Sequence, residues 1–376
     1  MMMTGGRLAL FRVGLALEGV GWHPAAWPES SMTVPAELFG SRHWTDWGRA
    51  AAAGGIDFVT LEDGLSAQTE QFAGVPGDPR KVVRGRLDPV VTAAMVLSST
   101  DIGEVVVSRN VTHSNPFHIA TQLASLAAIA PGRVTFRPQV SANAGDAAVV
   151  GGTPTPRLGS EDVQVPARIA HRLRDLFRDA ESQVRAIRSL WSTFPHESLG
   201  SGDEFWQHGL IAPRVPDHHP AAGPLNVPVA VAPLVATLAH HALEPYRLAA
   251  AVADRVFLTP TAEHPVPKLV AAFRQIEQLT PDAAKTELYA DIAVVLGDTD
   301  ESARARLAHL NQVTGAVWST DTGIFTGTAA GLAEVLAGWR DQDGIAGVRL
   351  RPAVLGEDGE RIIRDLVPLM HDEPAR

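Results

Sequence analysis

Eight short β-rich runs alternate with longer helical stretches along this 376-residue chain. That order constrains the fold more than any other sequence feature. The runs are Phe11–Leu17, Ile56–Leu61, Gly103–Ser108, Arg133–Val140, Leu234–Ala239, Arg255–Leu258, Leu288–Leu296 and Gly347–Arg351. Several are compact and apolar, as strands covered on both faces are. Helices fit His43–Ala53, Val165–Trp191, Pro267–Gln278, Asp300–Leu310, Ala329–Trp339 and Gly359–Met370. Two more open at Asp88-Pro89 and Asn115-Pro116, where a capping side chain precedes a first-turn proline. In the second of these, Ala120, Leu123, Ala124 and Ala127 repeat at the spacing of one buried helical stripe.

The fifth strand has two registers, Val227–Ala232 or Leu234–Ala239. A helix over residues 234–253 would hold Pro245 in its middle, which costs about 3 kcal/mol. Setting the strand at Leu234–Ala239 moves Pro245 into a first helical turn, and we adopt that register. Eight strand–helix units in a row predict a (β/α)8 TIM barrel, typically about 250 residues long before insertions. The expected architecture is one domain over residues 1–376, with insertions at 18–42, 64–87, 141–164 and 192–231. A doubly wound sheet is the structural rival, and eight units would make an unusually large one.

Composition narrows the function. Basic residues number 32 and acidic residues 42, so the net charge is −10, opposite to the surplus of a nucleic-acid binder. No cysteine is present, which removes disulfides, thiolate nucleophiles and Cys-held metals and leaves a bound organic cofactor as the expected source of chemistry. The N-terminal stretch is broken by Arg7 and Arg12 and does not read as a signal peptide. The uncharged stretch His218–Leu243 carries four prolines and four histidines, which argues against a membrane helix. A cytoplasmic protein is expected.

Residues just past barrel strands converge on one mouth. Here they are Trp22, His23, Glu62, Asp63, Ser108 to His113, Ser141, Asn143, His240 and His241. Polar and imidazole groups dominate this set and charges are few, which suits a flat polar heterocycle better than a highly charged phosphosugar. Gly19-Val20-Gly21 starts like a dinucleotide fingerprint, but Pro24 takes the place of the third glycine, so it reads as a plain turn. Glu62 and Asp63 are adjacent and should point apart, one into the site and one onto the following turn. His240-His241 precedes a helix start whose free N–H groups can hold a phosphate; an ordinary polar loop is the alternative. No His-x-His follows the first strand and no His-Glu-x-x-His occurs, so no metal site is expected.

Several short motifs carry a family resemblance. They are Leu87-Asp88-Pro89, Ile102-Gly103, Asn115-Pro116-Phe117-His118-Ile119-Ala120 and Gly132-Arg133-Val134-Thr135-Phe136 before Ser141. Gly223-Pro224-Leu225-Asn226-Val227-Pro228, Ala253-Asp254-Arg255-Val256-Phe257 and Leu366-Val367-Pro368 continue the series. In that order the chain resembles luciferase-like flavin-dependent monooxygenases of the two-component branch acting on nitrilotriacetate- and dibenzothiophene-sulfone-type substrates. The resemblance implies a homodimeric barrel that binds reduced FMN at the strand C-termini. It also implies O2 as co-substrate, a small organic substrate and a separate flavin reductase. By position, Asp63, Asn110 and Ser141 would line the ring system, with Ser108 at the same mouth. His240, His241 and Ala242 would stand at the phosphate, and His113 is the candidate catalytic residue.

The chain departs from the family pattern at definite places. Thr121 stands where the family has arginine, Ala127 where it has aspartate, and Phe136-Arg137 where it has Trp-Asn. His240-His241-Ala242-Leu243 replaces Ala-Gly-x-Ser. The alternatives are therefore an F420-dependent hydride-transfer enzyme on the same fold, or a non-catalytic flavin-binding barrel.

Overall fold

The computed structural model describes residues 11–32, 35–65, 85–142, 144–151, 166–194 and 224–371. Nine parallel strands are present among them: β1 (Arg12–Leu17), β2 (Phe58–Leu61), β3 (Glu104–Asn110), β4 (Val134–Gln139), β5 (Leu234–Ala239), β6 (Arg255–Leu258), β7 (Glu287–Leu296), β8 (Ile324–Gly327) and β9 (Gly347–Pro352). Eight of them close a barrel in the order β1 to β7 and then β9, which pairs back onto β1 through Gly14 and Arg349. These eight are the strands expected from the sequence.

The outer layer is α1 (Ser41–Ala53), α2 (Pro89–Ser99), α3 (Pro116–Ile129), α4 (Pro166–Trp191), α5 (Leu243–Val252), α6 (Val266–Leu279), α7 (Asp300–Thr314) and α8 (Ala329–Asp343). The capping signals act as read: the Asp88 carboxylate accepts from Val90 N and Val91 N, and Asn115 accepts from Phe117 N. Ala120, Leu123, Ala124 and Ala127 are all buried along α3. Pro245 lies in the first turn of α5, as the adopted register requires.

Two features differ from the sequence reading. β6 stops at Leu258, paired with Ala290, while β7 runs on to Leu296. The bare upper edge of β7 is taken by β8, with Ala293 beside Ile324 and Leu296 beside Gly327. Four residues next to glycine carry no periodic signal, so only that open edge makes β8 a strand. The expected last helix is instead built from π-helical turns at Leu355–Gly359 and Ile362–Leu366, followed by an α-turn at Val367–His371. Its anticipated stripe of Ile362, Leu366 and Met370 is buried.

Of the expected insertions, 18–42 contains a helical turn at Ala26–Glu29 and a 3-10 turn at Pro35–Phe39. Much of 64–87, 141–164 and 192–231 lies outside the described residues.

The barrel axis is filled in layers. At the bottom, Glu104 bonds Arg12, Arg255 and Thr135. Above it, Phe58, Phe257 and Tyr289 meet at ring-centroid distances of 5.6 to 6.0 Å. Glycine on β1 makes room for them, since a Cβ on Gly14 would stand 2.1 Å from the Phe58 ring. The lower interior is thus a packed plug, and ligand space can exist only above it.

Candidate functional site

Side chains alternate along each strand, so one parity faces the axis. Above the aromatic layer that parity brings up Thr60 on β2 and Glu62 just after it, Ser108 and Asn110 on β3, and Arg137 and Gln139 on β4. Asp291 on β7 and Arg349 and Arg351 on β9 complete the ring. These groups form a continuous charge ladder. Arg137 bonds Glu62, and Glu62 also bonds Arg349. Asp291 then accepts from Arg349 at 2.6 Å and from both Arg351 Nε and Nη2, at 2.7 and 2.6 Å. Arg351 ends the run on both oxygens of Asp321, and His240 Nδ1 lies 3.7 Å from Oδ2 of that carboxylate.

Buried charges of this kind are costly unless every partner is in place, and the ladder supplies them. Arg349 adds a bond to Thr60, and Arg137 donates to Ser108 through Nε and Nη2. Burial would raise the Glu62 pKa, but Arg137, Arg349, Arg86 and Arg351 outweigh it and hold the carboxyl at about 2. The Trp22 indole packs over the guanidinium carbons of Arg349 and Arg351, at 5.1 and 4.8 Å from its ring centroid.

This corrects the expectation of a mouth with few charges. Of the three arginines on β4 and β9, the sequence marks Arg137 as a departure from the family pattern and shows Arg349 and Arg351 only as strand residues. Their inward parity was the available signal, since Arg349 and Arg351 are two residues apart. The Glu62–Asp63 pair divides as anticipated: Glu62 joins the ladder, while Asp63 accepts from Gly64 N and Asn110 N.

Asp63, Ser108 and Asn110 are brought together in this way at the β2–β3 rim. Asn110 and Gln139 are register partners on β3 and β4, and one step below them are Ser108 and Arg137. Asn110 Oδ1 accepts from His113 N. Asn110 Nδ2, Gln139 Oε1 and His113 Nε2 are shielded from solvent and have no hydrogen-bond partner. Unpaired buried polar atoms are costly, and a donor beside an acceptor at a barrel rim fits the polar edge of a flat heterocycle such as an isoalloxazine. Ser141 is fixed differently: its hydroxyl donates to Asp146 at 2.6 Å and its N–H to Thr112. Asn143 lies outside the described residues.

His240, His241 and Ala242 sit at the end of β5 and are exposed. Ala242 is the N-cap of α5 in extended conformation and offers no side-chain cap. The N–H groups of Leu243 and Glu244 therefore remain for an anion, Pro245 having none. His241 stacks on His264 at 4.1 Å between ring centroids, and burial together with His264 and Lys268 lowers its pKa. His264, in the loop after β6, was not anticipated. The cluster fits a phosphate, although Glu244 in the same turn opposes it.

His23 is not at the mouth. Its Nδ1 accepts from Ala25 N, its Nε2 meets Asn311 Oδ1 at 3.3 Å, and its ring packs edge-on against Trp318. It secures the first loop to α7. A cavity of about 1090 Å³ on the barrel flank is lined by His43, Trp47, Leu355 and Ile363 among others, and no ladder residue borders it. Among the described residues no group of three or more His, Asp or Glu could hold a metal, and no helix is long and apolar enough to cross a membrane.

Comparison with known proteins bears on the fold and the family. N-acetyl-S-(2-succino)cysteine monooxygenase of Bacillus subtilis (strain 168) is 22% identical over 314 residues, 80% of this chain and 65% of that protein. The chain thus spans just under two thirds of that relative's length. EDTA monooxygenase (EmoA) from Chelativorans sp. BNC1 superposes with a TM-score of 0.76 at 19% identity, covering 96% of this chain and 93% of that one. Riboflavin lyase (RcaE), solved with modified FMN and riboflavin, gives a TM-score of 0.75 at 16% identity, covering 96% and 92%. These likenesses establish the barrel fold. The profile of the luciferase-like monooxygenases matches residues 22–343, most of the chain, and the chain belongs to that family.

Proposed function

We propose that the chain is a flavin-dependent monooxygenase. In this reading it takes reduced FMN from a separate reductase and uses O2 to oxygenate a small organic substrate, as a cytoplasmic homodimer. One observation carries the proposal beyond family membership: Asn110 Nδ2 and Gln139 Oε1 form an unpaired donor–acceptor pair on adjacent strands at the mouth. Asn110 would donate to a carbonyl of the flavin's pyrimidine edge and Gln139 would accept from its N–H, with Asp63 fixing the Asn110 backbone. The start of α5, with His241 and His264, would take the phosphate. Bound reduced FMN would supply the two electrons that divide O2 between the substrate and water. His113 Nε2, shielded and unpaired, is the imidazole able to hold or move a proton at that rim.

Anaerobic titration with FMN, reduced FMN and F420, followed by admission of ¹⁸O2 with candidate substrates, tests the reading. Binding of reduced FMN and transfer of one ¹⁸O atom to the product are expected. Binding of F420 alone would make the chain a hydride-transfer enzyme.

A further inference from the structure

Arg137 is 95% buried by its neighbours, with a side-chain exposure of 5%. Its Nε and Nη2 are taken by Ser108 and Glu62, while Nη1 has no partner among the described residues. Glu62 is shared with Arg349, so Arg137 receives only part of one carboxylate. Across the ladder, Arg137, Arg349 and Arg351 face the buried Glu62 and Asp291, and the third carboxylate, Asp321, is 37% exposed. The ladder as a whole is balanced, three guanidiniums against three carboxylates, and Arg137 at its end is the one served by a single shared carboxylate. Burial, joined by Arg349 and Arg351, outweighs Glu62 and Asp291 and pushes the Arg137 pKa down, whereas Arg351, held by two carboxylates, is pushed up. An added anion at Arg137 would oppose that lowering.

The register places Arg137 one step below the Asn110–Gln139 pair, on the same inward face. We infer that the free guanidinium edge of Arg137 is the group by which this barrel selects the reduced, anionic form of its flavin over the oxidised form. The inference rests on the flavin reading above. Oxidised flavin is neutral in its ring. Uptake of two electrons and one proton at N5 leaves one negative charge spread over N1 and the C2 carbonyl, on the pyrimidine edge assigned to this rim. A guanidinium beneath that edge stabilises the charge and leaves the neutral ring almost unaffected.

The test is anaerobic calorimetry of the full chain with oxidised FMN and with dithionite-reduced FMN, for wild type, Arg137→Gln and Arg137→Lys. Wild type should prefer the reduced form. Arg137→Gln should lose at least tenfold of that preference, equivalent to about 30 mV in the midpoint potential of a two-electron couple. Arg137→Lys, which keeps the charge, should retain most of it. Should Arg137→Gln not fold, ¹⁵N spectra of wild type with labelled reduced FMN replace it. N1 should then stay deprotonated at least one pH unit below the point where free reduced FMN protonates. An unchanged affinity ratio in Arg137→Gln, or an unshifted N1, overturns the inference while leaving the flavin reading intact. Failure of wild type to bind either redox form overturns both.

Discussion

At Glu62 one carboxylate meets two guanidinium groups, and the sign of its pKa shift sets how the mouth responds to acid. Its folded value, about 2, lies below the ordinary 4.5, so the stability it contributes is complete above pH 4.5 and is lost as pH falls towards 2. Removing one partner of a buried pair leaves the other charge uncompensated, at a cost of about 3–5 kcal/mol. Glu62→Gln should therefore lose about that much stability in urea unfolding at pH 7. Its gap to wild type should narrow between pH 4.5 and 2. A gap independent of pH would mean that Glu62 is not charged in the fold. At this scale the sequence was legible where chemistry is local: adjacent Glu62 and Asp63 had to diverge, and they do. Arg137 was visible only as a departure. Its partners, Glu62 and Ser108, are 75 and 29 residues away, and barrel closure alone brings them together.

The β5–α5 junction shows both what an element's sequence reveals and what it hides. Pro245 decided the strand register because proline tolerates only the first helical turn. The bare cap at Ala242 could be seen only once the helix start was placed. Asx residues at an N-cap outperform alanine by about 0.5–2 kcal/mol, and Ala242 already has the extended backbone such a cap needs, with φ −152° and ψ 156°. Ala242→Asp should therefore raise the melting temperature. If α5 takes the cofactor phosphate, the same change should weaken FMN binding, because the new carboxylate occupies the Glu244 N–H and repels the phosphate. Higher stability with unchanged affinity would place the phosphate elsewhere. β8 was hidden for a different reason: four residues have too little pattern to read, and their pairing is dictated by the length mismatch of β6 and β7.

For the whole molecule, closure of eight parallel strands converts alternation along each strand into layers across the barrel. Glycine at 14 admits the aromatic plug, the plug seals the floor, and above the charge ladder Asn110, Gln139 and His113 carry unpaired polar atoms at the β3–β4 rim, with the uncapped helix beyond β5. The number and order of the eight barrel strands were legible because each hydrophobic run is local. The ladder was not, because charged side chains inside a strand have the same period as exposed ones and differ only in what closure places opposite them. The most direct measurement is a crystal structure of the chain with FMN. The account predicts the isoalloxazine edge within hydrogen-bonding distance, about 3 Å, of Asn110 Nδ2 and Gln139 Oε1, with the phosphate at the start of α5. A flavin bound elsewhere, with Asn110 and Gln139 still unpaired, would contradict it.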